Sequence, residues 1–175
     1  MAAPVTGAAL EALAGEVHRA LLARGATVAA AESLTAGLLC ATLAAVPGAS
    51  ATLRGGAVVY ATDLKTALAG VPAGLLAAHG PVSPQTAAAL AEGIRARCSA
   101  TFGLGLTGVA GPDPVDGHGP GTVYLGLSDG ERTDVVRLDL PGDRAAVRAG
   151  AVASAFTTLR DRLTGNAGRA EGVTP

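Results

Sequence analysis

The stretch Ala26-Thr27-Val28-Ala29-Ala30-Ala31-Glu32-Ser33-Leu34-Thr35-Ala36-Gly37 decides how this chain folds. Its first half is short and apolar, as a strand buried on both faces of a sheet would be, and Leu38 to Val46 behind it reads as a helix. The polar turn from Glu32 to Gly37 therefore falls between a strand's carboxyl end and a helix N-terminus. Open α/β sheets bind ligands at that position, and the free N–H groups of the helix start favour developing negative charge. Two further apolar runs end the same way. Gly56 to Ala61 leads into Tyr60-Ala61-Thr62-Asp63-Leu64-Lys65, which supplies a lysine. Thr101 to Leu106 leads into Leu106-Thr107-Gly108-Val109-Ala110-Gly111-Pro112, which supplies a threonine in a glycine loop. Three strand ends with polar turns imply one site assembled from all three.

Helix and strand signals alternate along the rest of the chain, without internal repeats. Thr6 is placed to cap a helix to about Leu22, with Leu10, Leu13, Val17 and Leu21 on one face and Gly25 beyond its end. Thr62 or Asp63 is expected to cap a short helix. Gly70 to Gly74 breaks the chain before a helical turn ending near His79-Gly80. Ser83 with Pro84 at the first helical position opens a long helix to about Cys98. Gly121 to Leu127 and Thr133 to Leu140 read as strands joined at Ser128-Asp129-Gly130 in an antiparallel hairpin. Asp143 is placed to cap a last helix to about Leu163. The expected architecture is α/β, a mixed sandwich of five strands with helices on both faces. One domain is expected over residues 1–163, and the small, polar tail 164–175 is expected to be disordered.

Composition removes several function classes. The 175 residues are 49% hydrophobic, as suits a sheet with both faces covered. A net charge of −1 without a basic run offers nothing to draw nucleic acid or an anionic membrane, and 2% aromatics leave few rings for bases to stack on. The N-terminus carries no signal-peptide pattern, and no apolar run has the length of a membrane span. Cys40 and Cys98 read as small buried hydrophobes in a reducing cytosol, a disulfide being neither required nor excluded. The expected location is cytoplasmic.

A serine is a weak nucleophile and needs a base within hydrogen-bond reach. Of the three histidines, His18 falls within a helix and His79 near a helix end; only His118 lies in a loop suited to a site, with Asp113 or Asp116 as nearby acids. Lys65 is the better candidate. Between Gly25 and Ile94 the only other lysine or arginine is Arg54, fewer charges than a solvated surface of that size normally uses. A lysine that acts as a base must have its pKa lowered, by burial or by a neighbouring cation. Tyr60 and Thr107 are candidates to position it or relay a proton. Each residue also has a plain structural explanation: Ser33 as a helix cap, Lys65 as a solvated charge, Thr107 bonded to its own loop. The glycine loop from Gly103 to Gly121 could cradle an anion. It contains no P-loop sequence, and Gly103-Leu104-Gly105 with Gly108 approximates G-x-G-x-x-G only inside a strand. Arg144 and Arg148 stand one helical turn apart, placed to face one phosphate or carboxylate or simply solvent. No pair of histidines or cysteines has metal-ligand spacing.

The string Ala31-Glu32-Ser33-Leu34-Thr35-Ala36-Gly37 resembles the Ala-Glu-Ser-Cys-Thr-Gly-Gly signature of the CinA C-terminal domain family. Further motifs keep that family's order. They run through Val46-Pro47-Gly48-Ala49-Ser50, Gly55-Gly56-Ala57-Val58-Val59-Tyr60 leading to Lys65, and His79-Gly80-Pro81-Val82-Ser83. Thr107 to Pro112, Gly121-Thr122-Val123-Tyr124 and Gly142-Asp143-Arg144 complete the set. The resemblance covers roughly Ala8 to Leu163. Family members are known as nicotinamide-mononucleotide deamidases, free-standing or fused to a molybdopterin-binding-like domain, and this chain resembles the free-standing form. The family fold is a three-layer α/β/α sandwich with a mixed five-stranded sheet.

The resemblance implies hydrolysis of nicotinamide mononucleotide to nicotinic acid mononucleotide and ammonia. Ser33 would be the nucleophile. Lys65 would be its general base and then the proton donor to ammonia, with Thr107 and Tyr60 relaying protons or positioning groups. Backbone N–H groups after Ser33 would hold the oxyanion. Arg144 is the expected phosphate contact, and Glu32, Thr35, Gly37, Gly108 and Gly111 are the other expected substrate-binding residues. The implied partner is a small nucleotide, without metal or organic cofactor, and a homo-oligomer is in keeping with the resemblance. The chain departs from the family at Leu34, where cysteine is usual, and at Ala36, which adds a methyl where backbone is expected to approach substrate. It departs again at Ala61 to Leu64, where Ser-Asn-Glu-Ala is common, and from Asp113 to Gly119, which bears on substrate fit. Two other readings stand beside the deamidase: a serine amidohydrolase for another small carboxamide, and a competence-associated binding protein with an idle site.

Overall fold

In the computed structural model, which describes residues 5–165, Thr6 caps α1 (Gly7–Ala23) by accepting the Ala9 N–H at 3.2 Å. The helix ends as Gly25 predicts: with φ at +57°, Gly25 donates to Leu22 O while Ala26 donates to Leu21 O, which closes two orphaned carbonyls. The chain continues through β1 (Val28–Glu32), α2 (Leu38–Ala44), a 3₁₀ turn (Ala49–Ala51) and β2 (Leu53–Val58). Next come α3 (Thr62–Ala69), α4 (Ala73–His79), α5 (Pro84–Arg97) and β3 (Phe102–Gly108). β4 (Thr122–Ser128), β5 (Thr133–Asp139) and α6 (Arg144–Thr164) complete it. Ser83 and Asp143 cap α5 and α6 through the N–H groups of Thr86 and Ala146.

The strands form one sheet in the order β2-β1-β3-β4-β5, with β2, β1 and β3 parallel and β4 antiparallel to both its neighbours. β1 is interior and wholly buried, which explains its unbroken apolar run. Val28 and Ala30 face a core shared with α1, α2 and α6; Ala29 and Ala31 face a second core under α3, α4 and α5. The result is the expected three-layer α/β/α sandwich with a mixed five-stranded sheet. Among the described residues no helix is long and apolar enough to cross a membrane.

Glycine makes the second layer possible. A β-carbon at Gly103, Gly105 or Gly126 would fall 2.0, 2.5 or 2.3 Å from a backbone oxygen of α5, so the helix lies directly on these strand positions. Gly103 and Gly105 of the apparent G-x-G-x-x-G pattern are therefore a seat for α5, while Gly108 lies against Thr122 and Val123 of β4.

Several boundaries differ from expectation. β2 begins at Leu53 and ends at Val58, ahead of the predicted Gly56 to Ala61, because it is an edge strand with alternating exposure and a Gly-Gly pair inside it. Neither Thr62 nor Asp63 caps α3; its N-cap is Ala61, without a side-chain bond. Cys98 follows α5 as its C-cap, and both cysteines are free thiols on opposite faces of the sheet. Of the tail 164–175 expected to be disordered, Thr164 is the last residue of α6 and Gly165 (φ 76°) its C-cap, while 166–175 lies outside the described residues.

Candidate active site

The connection after β1 covers one face and the connection after β2 covers the other, so the carboxyl ends of β1 and β3 form the topological switch point of the sheet. An open cleft of about 240 Å³ lies there, lined by residues that include Ser33, Tyr60, Lys65, Thr107, Gly108 and Arg144. The three turns do converge.

Ser33 extends the β1 ladder by one residue, its N–H donating to Leu106 O of β3 at 2.9 Å. Val59 likewise continues β2, donating to Glu32 O. Both turns therefore start from fixed backbone. Lys65, in the first turns of α3, folds back toward the sheet. Its Nζ lies 3.2 Å from Ser33 Oγ, 2.9 Å from Val59 O and 3.4 Å from Tyr60 O. Lys65 is only 2% exposed, and no carboxylate pairs with it among the described residues.

Burial pushes its pKa below the ordinary 10.5, because the charged form loses its hydration without a counter-charge. The contacts also fix which way the neutral amine points. Two of its three neighbours are carbonyl oxygens, which can only accept, so they take its two N–H groups. The lone pair is left for the Ser33 hydroxyl proton. Lys65 is the only lysine in the chain; every other basic side chain apart from histidine is an arginine. Arginine cannot serve as a base in a protein, so a sequence that uses lysine once, in a buried place, carries a signal that local reading passed over.

Thr107 is fully buried in the cleft wall and donates to Pro81 O at 2.6 Å, which leaves its oxygen lone pairs to accept. Tyr60 meets Lys65 through its main chain. Its exposed phenol accepts from Arg144 at 2.5 Å on the cleft rim. Arg144 also donates to Gly111 O at 2.9 Å, so one guanidinium ties the turn after β2 to the glycine loop. Gly108 and Gly111 line the cleft, as do Asp113 and Asp116.

Three expected substrate contacts stand away from the cleft lining. The Glu32 carboxylate is buried and accepts the N–H groups of Gly37, Leu39 and Cys40 at 2.9–3.0 Å. It caps α2, which uses its acceptor capacity within the protein. Gly37 is the backbone N-cap of α2 at φ 91°, and Thr35 is fully buried with its hydroxyl unpartnered. Ala36 is exposed, and its φ of +47° places it in the left-handed region. The left-handed backbone costs about 1 kcal/mol of strain, which glycine would avoid.

The remaining candidates have structural places. Arg148 does not face the cleft beside Arg144; it donates to Leu34 O and Thr35 O. His118 pairs its backbone with Val115 and sets its ring edge-on to Tyr124, and His18 bonds Thr52. Burial, then the charge of Glu32, pushes the Cys40 thiol far up, which disfavours the thiolate. Among the described residues no group of three or more His, Cys, Asp or Glu is arranged to hold a metal ion.

Fold and site together define an α/β protein with a serine–lysine pair at the carboxyl edge of a mixed sheet. The model of the CinA C-terminal domain matches residues 10–163, and the chain belongs to that family. It is 49% identical over 165 residues to a CinA-like protein of Frankia casuarinae, covering 94% of this chain and 38% of that protein. It is 50% identical over 141 residues to a CinA-like protein of Acidobacterium capsulatum, covering 80% of this chain and 34% of the relative. The chain thus spans little more than a third of the length of these curated relatives. Among solved structures, a competence-damaged protein (CinA) superfamily protein from Klebsiella pneumoniae 700603 superposes with a TM-score of 0.87 at 32% identity, covering 89% of this chain and 98% of that one. A competence/damage inducible protein from Agrobacterium tumefaciens gives 0.84 at 29% identity, covering 94% of this chain and 99% of that one.

Proposed function

We propose that this chain is an amidohydrolase that converts nicotinamide mononucleotide and water into nicotinic acid mononucleotide and ammonia. One observation carries the reading: the buried Lys65 amine, without a counter-charge, stands 3.2 Å from Ser33 Oγ with both its other contacts on carbonyl oxygens. In that geometry neutral Lys65 takes the Ser33 proton as Oγ bonds the carboxamide carbon. The carbonyl electron pair moves to oxygen, where the N–H groups of the following turn meet it. Lys65 then returns its proton to the amide nitrogen, the C–N bond breaks, and ammonia leaves. Water, deprotonated by Lys65, then adds to the ester carbon, and Lys65 returns that proton to Ser33 Oγ as the ester bond breaks, which frees the carboxylic acid and restores the pair. Arg144, held at the rim with N–H groups to spare, is the group to meet a phosphate.

Ammonia release from nicotinamide mononucleotide by the parent protein, followed across pH, tests the reading. Only neutral Lys65 acts as the base, so kcat/KM is expected to rise with pH through the lowered pKa of Lys65 and then level off. Selective carbon-13 labelling of lysine gives one side-chain signal in a one-lysine chain, and its titration midpoint should coincide with that of the rate. No ammonia release would end the assignment. A rate that falls as pH rises, or a lysine titrating at its ordinary value, would remove Lys65 as base.

One observation favours a second reading, a different small carboxamide. Asp113 and Asp116 line the same cleft as Arg144, and two carboxylates weaken a phosphate seat. Faster turnover of an uncharged or cationic amide than of the nucleotide would select it.

A further inference from the structure

Arg148 takes part in none of the steps above, yet it holds the turn on which they depend. It lies one helical turn beyond Arg144 on α6 and is half-buried, with no carboxylate among the ion pairs of the described residues. Its Nε donates to Leu34 O at 3.1 Å and a terminal nitrogen donates to Thr35 O at 2.8 Å. A positive charge is thus set against the two carbonyls that follow Ser33 directly.

The N–H of Leu34 is the informative one. Leu34 follows Ser33 directly and lines the cleft, whereas Thr35 is fully buried away from it. Among the described residues the Leu34 N–H has no acceptor, whereas the one from Ala36 donates to Ser33 O at 3.1 Å. Charge-assisted bonds to the two carbonyls that come next hold the backbone that carries this N–H. The turn also needs holding. Ala36 and Gly37 are both left-handed, at φ 47° and 91°, and Glu32 secures only the α2 side.

Resting on the reading of Ser33 as nucleophile, we infer that Arg148 is a positioning residue for the oxyanion hole. It fixes the turn from Ser33 to Ala36 and so holds in place the N–H of cleft-lining Leu34, which receives the negative charge that forms when Ser33 attacks a carbonyl carbon.

The test reads Ser33 itself, independently of the true amide. 4-Nitrophenyl acetate acylates the serine and releases nitrophenolate in a burst that Ser33→Ala lacks. The burst is followed in parent, Arg148→Met and Arg148→Lys proteins, with kcat and KM for the nucleotide measured beside it. Arg148→Met is expected to slow the burst and kcat by about 10²-fold, with KM within about twofold of the parent. Arg148→Lys should recover part of the rate, since one ammonium can still donate to one of the two carbonyls. A parental burst in Arg148→Met, or a raised KM with kcat kept, would overturn the inference. If Arg148→Met does not melt cooperatively, Arg148→Lys decides: a slowed burst at parental KM supports the role, and a parental burst removes it. A parent that acylates but leaves the nucleotide intact ends the substrate reading alone. A parent without a burst removes the nucleophile, and Arg148's role with it.

Discussion

Replacing Ser33 by alanine is expected to lower kcat on the amide substrate by about 10³-fold or more, and Lys65→Met to do nearly as much. The two losses should not multiply. With the hydroxyl gone, the amine has nothing to deprotonate; with the amine gone, the hydroxyl stays protonated, so the double variant should be about as slow as either single one. Lys65→Arg is the sharper control. It keeps a cation and hydrogen-bond donors at the same place but has no accessible neutral form, so it should be as inactive as Lys65→Met. An active Lys65→Arg protein would mean that the side chain serves as a fixed charge, and independent losses in the double variant would separate the two residues' roles.

Substituting Gly105 by valine carries the largest expected cost to stability. Its β-carbon would sit 2.5 Å from Ala87 O, 2.7 Å from Ala91 N and 2.7 Å from Leu90 Cβ, and two of those atoms are backbone of α5. The helix must lift from β3, since no side-chain rotation clears the overlap. Overpacking of this kind costs about 3 kcal/mol, which for a domain of this size lowers Tm by roughly 6–12 °C. Gly74→Ala is the matched control, because nothing lies within 4 Å of the added methyl. Thermal melts followed by circular dichroism compare them. A Gly105→Val protein that melts with the parent would show that α5 does not rest on these glycines.

What could be read from the chain divides along physical lines. The caps at Thr6, Ser83 and Asp143 and the stop at Gly25 were legible because each acts within a few residues of itself. β1 was legible because an interior parallel strand is apolar throughout, while β2 at the edge alternates, and the Gly55-Gly56 pair inside it hides its start at Leu53. The meeting of Ser33, Lys65 and Thr107 followed from three strand ends that share one sheet edge. Side chains that act across the fold were not legible. Glu32 and Thr35 sit in the same polar turn as Ser33, yet one caps α2 and the other is buried without a partner. Tyr60 supplies a main-chain oxygen to Lys65 and its phenol to Arg144, a division of one residue that no spacing rule anticipates. Arg148 reaches the turn after Ser33 from more than a hundred positions away, and its spacing from Arg144 pointed instead to a shared anion or to solvent. Gly103-Leu104-Gly105 with Gly108 approximates a phosphate motif, although it falls in a strand, because close approach of packed backbone and close approach of a phosphate both demand glycine.

The central claim is that Ser33 becomes acylated by the substrate with loss of ammonia. Acid-quenching the parent during turnover of nicotinamide mononucleotide, digesting it and weighing the peptide that carries Ser33 tests this most directly, with Ser33→Ala assayed for ammonia alongside. The predicted result is a peptide heavier by the substrate mass less ammonia and a Ser33→Ala protein that releases essentially none. An unmodified peptide together with a Ser33→Ala protein that releases ammonia at the parental rate would contradict the account.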